Sequence, residues 1–319
     1  MSHQDLRTAL GGVAFTTATP FDEGDESLRM DRYRENLAFL EDHGADVFVP
    51  CGNTGEYYAL SHEERIEVVE TTVDATADDA TVIAGLAGSL KTATSLAAAY
   101  EAAGVDAVMV MDLDHTYIHI DGIVEYFGEV AAAVDCGVIG YKRSEKLSLP
   151  VIERIAEIEG VVGLKYAVND VKGLSAAIER LPDEFVMVNG IAERFAPSFA
   201  VEGASGFTTG IGNFVPELSL ALHDAIVAEN WGEAIELRNL ARPLEDLREE
   251  TGGGGNHLPA ANNVPTVKFG LDHVGQHGGP VRTPLRLLTS ADQDRAMQYL
   301  EAIAAADLGT LRATPTESQ

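Results

Sequence analysis

A primary amine that loses its proton can attack a keto carbon, and one lysine of this chain is placed to do so. Lys165 closes the apolar run Val161-Val162-Gly163-Leu164. Apolar surroundings disfavour the ammonium form, leaving free amine for Schiff-base formation. The alternative is a buried ion pair with a carboxylate such as Glu56 or Asp170. The other five lysines (Lys91, Lys142, Lys146, Lys172 and Lys268) fall in helix starts, loops or helix bodies, where a solvated charge is expected. Tyr141 ends a second apolar run, Gly137–Gly140. A phenol there can carry protons for carbinolamine formation, or it can merely cap a core. The turn Gly52-Asn53-Thr54-Gly55-Glu56 offers backbone N–H groups, an amide and a hydroxyl to a carboxylate, although an ordinary strand-to-helix turn looks much the same.

Other residue patterns carry less. His115 and His119 are four apart near Asp112 and Asp114, but the segment reads as extended, which does not put two ligands on one face. No metal and no cofactor are expected. The run Gly252–Gly255 follows no strand and precedes no Lys-Ser/Thr, so it cradles no phosphate. Cys51 and Cys136 are too few for a disulfide framework and read as free thiols.

The elements that position these groups alternate. Strand-like runs at 11–17, 46–52, 81–88, 106–113, 137–141, 161–167, 185–190 and 206–210 are each followed by a helical pattern. Ser61 opens one of those helices with a capping box, Ser-His-Glu-Glu. Runs this apolar imply a parallel sheet covered on both faces. Eight units with no G-x-G-x-x-G after the first strand favour an α/β (β/α)8 TIM barrel. The barrel is expected over 1–230, with a C-terminal helical appendage over 231–310 and a disordered tail at 311–319. Barrel enzymes carry their chemistry at the C-terminal ends of the strands, which is where Asn53, Tyr141 and Lys165 fall.

These residues, taken in order, resemble the dihydrodipicolinate synthase/N-acetylneuraminate lyase family of class I aldolases and dehydratases. The likeness begins with A-T-P-F (18–21) and continues through G-N-T-G-E, the strand-five tyrosine and the strand-six G-L-K. It ends with the N-x-V-P-x-V-K-x-G-L segment closing at Leu271 and V-R-T-P-L (281–285). The resemblance implies that Lys165 forms the Schiff base and Tyr141 relays protons. It also implies that Asn53, Thr54 and Gly55 belong to a carboxylate-binding turn, and that Gly190 and Thr208 line the substrate chamber. Tyr117, Arg143 and Lys146 become further candidate contacts, and the resemblance implies a homotetramer in which Tyr117 could reach across a subunit boundary.

Within the family, synthases carry a Y-N-x-P-x-R pattern, whereas here Tyr141 is followed by Lys142-Arg143-Ser144-Glu145-Lys146. V-I-G-Y-K-R, G-N-F-V-P-E (212–217) and G-G-P-V-R-T-P-L (278–285) instead resemble the 5-dehydro-4-deoxyglucarate dehydratase branch. A small-molecule 2-keto-3-deoxy sugar acid is therefore the expected substrate, with dehydration ahead of aldol cleavage. A synthase and a non-catalytic sugar-acid-binding paralogue are the other readings.

Charge narrows the setting. Among 319 residues, 22 basic side chains stand against 51 acidic ones, a net −29. No basic footprint exists for nucleic acid. An acidic, lysine-poor surface suits high salt, which screens self-repulsion, so halophilic adaptation is the expectation. No apolar stretch is long enough to span a bilayer and the first residues lack a leader pattern, so a cytoplasmic setting is expected.

Overall fold

The computed structural model describes residues 1–113, 115–306 and 308. Eight strands pair in parallel in chain order: β1 (Val13–Phe15), β2 (Val47–Phe48), β3 (Thr81–Leu86), β4 (Ala107–Val110), β5 (Gly137–Lys142), β6 (Val161–Tyr166), β7 (Val186–Asn189) and β8 (Gly206–Thr209). β8 returns to β1, through Val13–Phe207, Ala14–Thr208 and Phe15–Thr209, and closes the expected TIM barrel. Every strand residue is buried. Side chains of both faces meet core, one against the barrel interior and one against helices, which explains unbroken apolar runs in place of alternation.

One helix precedes β1, and the others follow the strands. They are α1 (His3–Ala9), α2 (Met30–Asp42), α3 (His62–Ala75), α4 (Leu90–Ala103), α5 (Ile120–Ala131), α6 (Leu149–Ala156), α7 (Val171–Ile178), α8 (Ala192–Val201) and α9 (Pro216–Val227). The capping box at α3 is formed, Ser61 accepting from Glu64 N and Glu64 accepting from Ser61 N. Helix α7 starts a turn earlier than its apolar pattern indicates, because Asp170 caps it by accepting from Gly173 N at 2.9 Å.

Sequence reading did not anticipate α1. It brings Leu6, 1% exposed, against Gly137 at the start of β5. A Cβ at Gly137 would lie 2.2 Å from Leu6 Cδ2, so only glycine admits this plug. The plug covers the N-terminal end of the barrel, leaving the opposite end open for chemistry.

Helices α10 (Trp231–Glu249), α11 (Asn263–His273) and α12 (Ser290–Ala305) form the C-terminal region. The expected tail at 311–319 lies outside the described residues. Helix α11 is strapped to the mouth by Lys268, which is fully buried rather than solvated as its sequence position indicated. Its Nζ lies 2.6 Å from Glu56 Oε1 and donates to Pro280 O at 2.5 Å. Arg282 N donates to Glu56 Oε2 at 3.0 Å, while its guanidinium makes two bonds to Glu64 at 2.6 and 2.7 Å. Both cations lie 4.1 Å from the Phe21 ring centroid. The three distant motifs A-T-P-F, G-N-T-G-E and V-R-T-P-L are thus one cross-braced unit. It holds Glu56 at φ +56°, a left-handed conformation unusual for a side-chain-bearing residue.

Lys268→Met would leave the Glu56 carboxylate buried without its cation. It should lower unfolding stability by about 3–5 kcal/mol in chemical denaturation, with most of that loss recovered in the Lys268→Met/Glu56→Gln double variant.

Candidate active site

Lys165 and Tyr141 are register partners on adjacent strands β6 and β5, so their side chains leave the sheet on the same face. The lysine Nζ lies 4.5 Å from the Tyr141 ring centroid. Lys165 is 7% exposed and has no carboxylate within ion-pair distance among the described residues. The two carboxylates that might have paired with it are engaged elsewhere, Glu56 with Lys268 and Asp170 with the N-terminus of α7. Burial, reinforced by the positive charges of Arg143 and Arg248, brings the Lys165 amine down to about 7. The same burial raises the Tyr141 phenol, which therefore stays protonated. Asn53 Nδ2 donates to Tyr141 Oη at 3.1 Å, so the phenol's own proton is free for another acceptor. An amide cannot pass that proton on.

A cavity of about 650 Å³ opens over this pair and is lined by Lys165, Tyr141, Asn53, Thr54, Gly190 and Thr208, among others. Glycine at 190 is a steric requirement. A Cβ there would lie 2.8 Å from Lys165 Cγ and 2.7 Å from Ala167 Cβ, displacing the lysine stem. The Thr54 hydroxyl is turned to a protein partner. Thr16 Oγ1 donates to Thr209 O at 2.6 Å, so the 3.0 Å contact between the two threonine hydroxyls uses the Thr54 proton. Thr54 offers the cavity a lone pair, and the donors available to a carboxylate are backbone N–H groups. Gly55 does not line the cavity. It is a packing glycine, since a Cβ there would lie 2.9 Å from Thr17 O.

The outer candidates separate. Arg143, exposed and without an ion pair among the described residues, lines both the main cavity and a side cavity of about 360 Å³. Lys146 lines only the side cavity, its amine bonded to Leu113 O and 3.8 Å from Asp112. Tyr117 is 87% exposed and lines neither. His115 and His119 each accept a backbone N–H two residues on, at 3.1 Å, in a non-helical segment. Lys142, expected to be solvated, is buried, with Nζ donating to Ser144 O and Leu147 O at 2.9 Å each. A separate cavity of about 640 Å³ beside α9, α11 and α12, lined by Leu218, Val274, Leu300 and Ile303 among others, has no amine or phenol on its described walls.

Sequence reading missed one wall altogether. Arg248, Glu245 and Asn263 reach the main cavity from α10 and α11. On α10 they sit in a pattern of alternating charges that reads as a solvated face.

The geometry can be set beside known proteins. The sequence profile of the dihydrodipicolinate synthetase family matches residues 9–303. The chain belongs to that family. Its Lys165 and Tyr141 thus sit in a family lyase scaffold matched over nearly its whole length. Curated relatives include a probable 5-dehydro-4-deoxyglucarate dehydratase of Variovorax paradoxus, 28% identical over 309 residues, covering 95% of this chain and 99% of the relative. The 5-dehydro-4-deoxyglucarate dehydratase of Pseudomonas putida is 27% identical and covers 95% and 98%. Among solved structures, dihydrodipicolinate synthase from Oceanobacillus iheyensis superposes with a TM-score of 0.90 at 31% identity, covering 96% of this chain and all of that one. The synthase from Bacillus clausii gives 0.88 at 32%, covering 94% and 99%.

An amine brought down to about 7 changes its protonation across the neutral range. Covalent labelling of Lys165 through its free amine should rise with pH, reach half its maximum rate near 7 and level off above, because the free amine is the reactive form. Arg143→Met removes a neighbouring positive charge and should move that midpoint upward in a stopped-flow or reductive-trapping pH series.

Proposed function

We propose that the protein is a Schiff-base lyase that dehydrates a 2-keto-3-deoxy sugar acid of the 5-dehydro-4-deoxyglucarate type. The observation that carries this reading is a buried amine with no carboxylate partner, set in register with a buried, protonated phenol beneath one cavity. A stabilised ammonium would have been paired, whereas a nucleophile is better left without a counter-charge.

In this scheme the Lys165 amine attacks the keto carbon and the carbinolamine loses water, leaving a protonated imine. The Tyr141 phenolate left by that step takes a proton from the adjacent CH2, which gives an enamine and restores the phenol. Its electrons expel the hydroxyl on the next carbon, which takes a proton and leaves as water. Hydrolysis of the resulting conjugated imine frees the lysine and the dehydrated keto acid. Tyr141 supplies the proton in the carbinolamine step and at the leaving hydroxyl, since Asn53 already donates to its oxygen and directs its own hydrogen away. The carboxylate beside the keto group is taken by backbone N–H groups of the Asn53–Thr54 turn.

The dehydratase names of curated relatives favour dehydration. A synthase reading rests on the structural relatives, and Lys146 weakens it. That residue stands where synthases carry arginine, yet its amine is bonded to Leu113 O and lines only the side cavity.

Borohydride reduction in the presence of a 2-keto acid should add one adduct mass, mapping to Lys165 by peptide mass spectrometry. Lys165→Ala should give no adduct and no turnover with the fold retained, and a normally active Lys165→Ala enzyme would refute the mechanism. A protein that only binds sugar acids would form no reducible imine. Tyr141→Phe should keep the adduct but lower turnover by about 10²- to 10⁴-fold.

A further inference from the structure

The proposed substrate class carries two carboxylates, and the Asn53–Thr54 turn beside Lys165 accounts for only one. The wall contributed by α10 and α11 contains a group suited to the second. Arg248 lies in the last turn of α10 and is 5% exposed. Its guanidinium packs on Gly210 just beyond β8, where a Cβ would come within 2.3 Å of Nη2. Nη1 donates to Glu245 Oε1 at 2.7 Å and Nη2 donates to Asn263 Oδ1 at 3.1 Å. Each of Nη1 and Nη2 keeps a second N–H, and the side chain lines the main cavity. A planar guanidinium held on two corners with N–H groups left over is pre-organised to take a carboxylate oxygen. Asn263 lines the same wall, and its amide N–H groups add neutral donors.

Rival cations fit less well. Arg143 is exposed, so solvent competes for its charge. Lys146 is engaged with Leu113 O and Asp112 outside the main cavity. Arg248 and Lys165 face the same chamber, and the charge of Arg248 already acts on the amine. Burial raises the carboxyls of Glu245 and of the fully buried Glu193.

We propose that Arg248, assisted by Asn263, is a second carboxylate subsite that receives the end of the substrate remote from the keto group and selects dicarboxylic over monocarboxylic 2-keto acids. The proposal rests on the Schiff-base reading of the same cavity.

The test compares 2-oxoadipate, a six-carbon dicarboxylic keto acid, with 2-oxohexanoate, its monocarboxylic counterpart of equal length. Half-saturation of borohydride-dependent labelling at Lys165 is measured for each. In the wild-type protein 2-oxoadipate should saturate at a concentration about 10- to 100-fold lower, the range expected for charge-assisted hydrogen bonds. Arg248→Met/Glu245→Gln, which leaves no orphaned carboxylate, should abolish that ratio, and Arg143→Met should retain most of it. Should the double variant fail to fold, Arg248→Lys decides. It keeps the charge but loses the fork, so the ratio should fall at least about 3-fold. An equal preference in wild type and both Arg248 variants, a ratio abolished by Arg143→Met instead, or no preference in wild type would each overturn the subsite. Labelling by neither acid, nor by pyruvate, would overturn the Schiff-base reading itself and the subsite with it.

Discussion

An ammonium ion loses much of its stability when water is taken away, and the mouth of this barrel is built around that loss. Three lysines are buried here, and their surroundings sort them by task. Lys142 recovers its hydration from two carbonyls, and Lys268 recovers it from Glu56 and Pro280 O. Lys165 receives neither, and two guanidiniums push further in the same direction. Burial lowers Lys268 as well, to about 8, but the adjacent Glu56 opposes that effect. One lysine is therefore left an unpaired amine and another is held as a strut, although both are amines in an apolar setting.

Separating the two tasks requires the C-terminal helices. Lys268 and the Arg282 backbone engage the Glu56 carboxylate and, in the same contacts, fix the turn that carries Asn53 and Thr54. Helix α10 then supplies the far wall. The appendage is as much a part of the site as the strands are.

The barrel and its central pair were legible because both follow from local rules. Unbroken apolar runs announce parallel strands, and a lysine or tyrosine ending such a run must emerge at the mouth. What stayed hidden depended on contacts between distant segments. Leu6 and Gly137 find each other only when the barrel closes, and a seven-residue helix has too weak a pattern to announce α1. Lys268 looked like any helix lysine until its helix was placed against Glu56. Arg248 lay among Glu245, Asp246, Glu249 and Glu250, a charge pattern that normally means solvent. The Thr54 hydroxyl was assigned as a donor because its partner Thr16, 38 residues away, was not visible as a competitor. Gly55, in the same turn, is needed as glycine because Thr17 O lies where a Cβ would be.

The distribution of lysine has one more effect. With Lys142, Lys165 and Lys268 enclosed and Lys146 half-buried, Lys91 and Lys172 are the exposed lysines, and most of the remaining cationic surface is arginine. Reducing sugars and aldehydes condense with accessible amines, slowly and without selectivity, and the protein presents few of them. Adventitious glycation and cross-linking thus find few amines on its exterior.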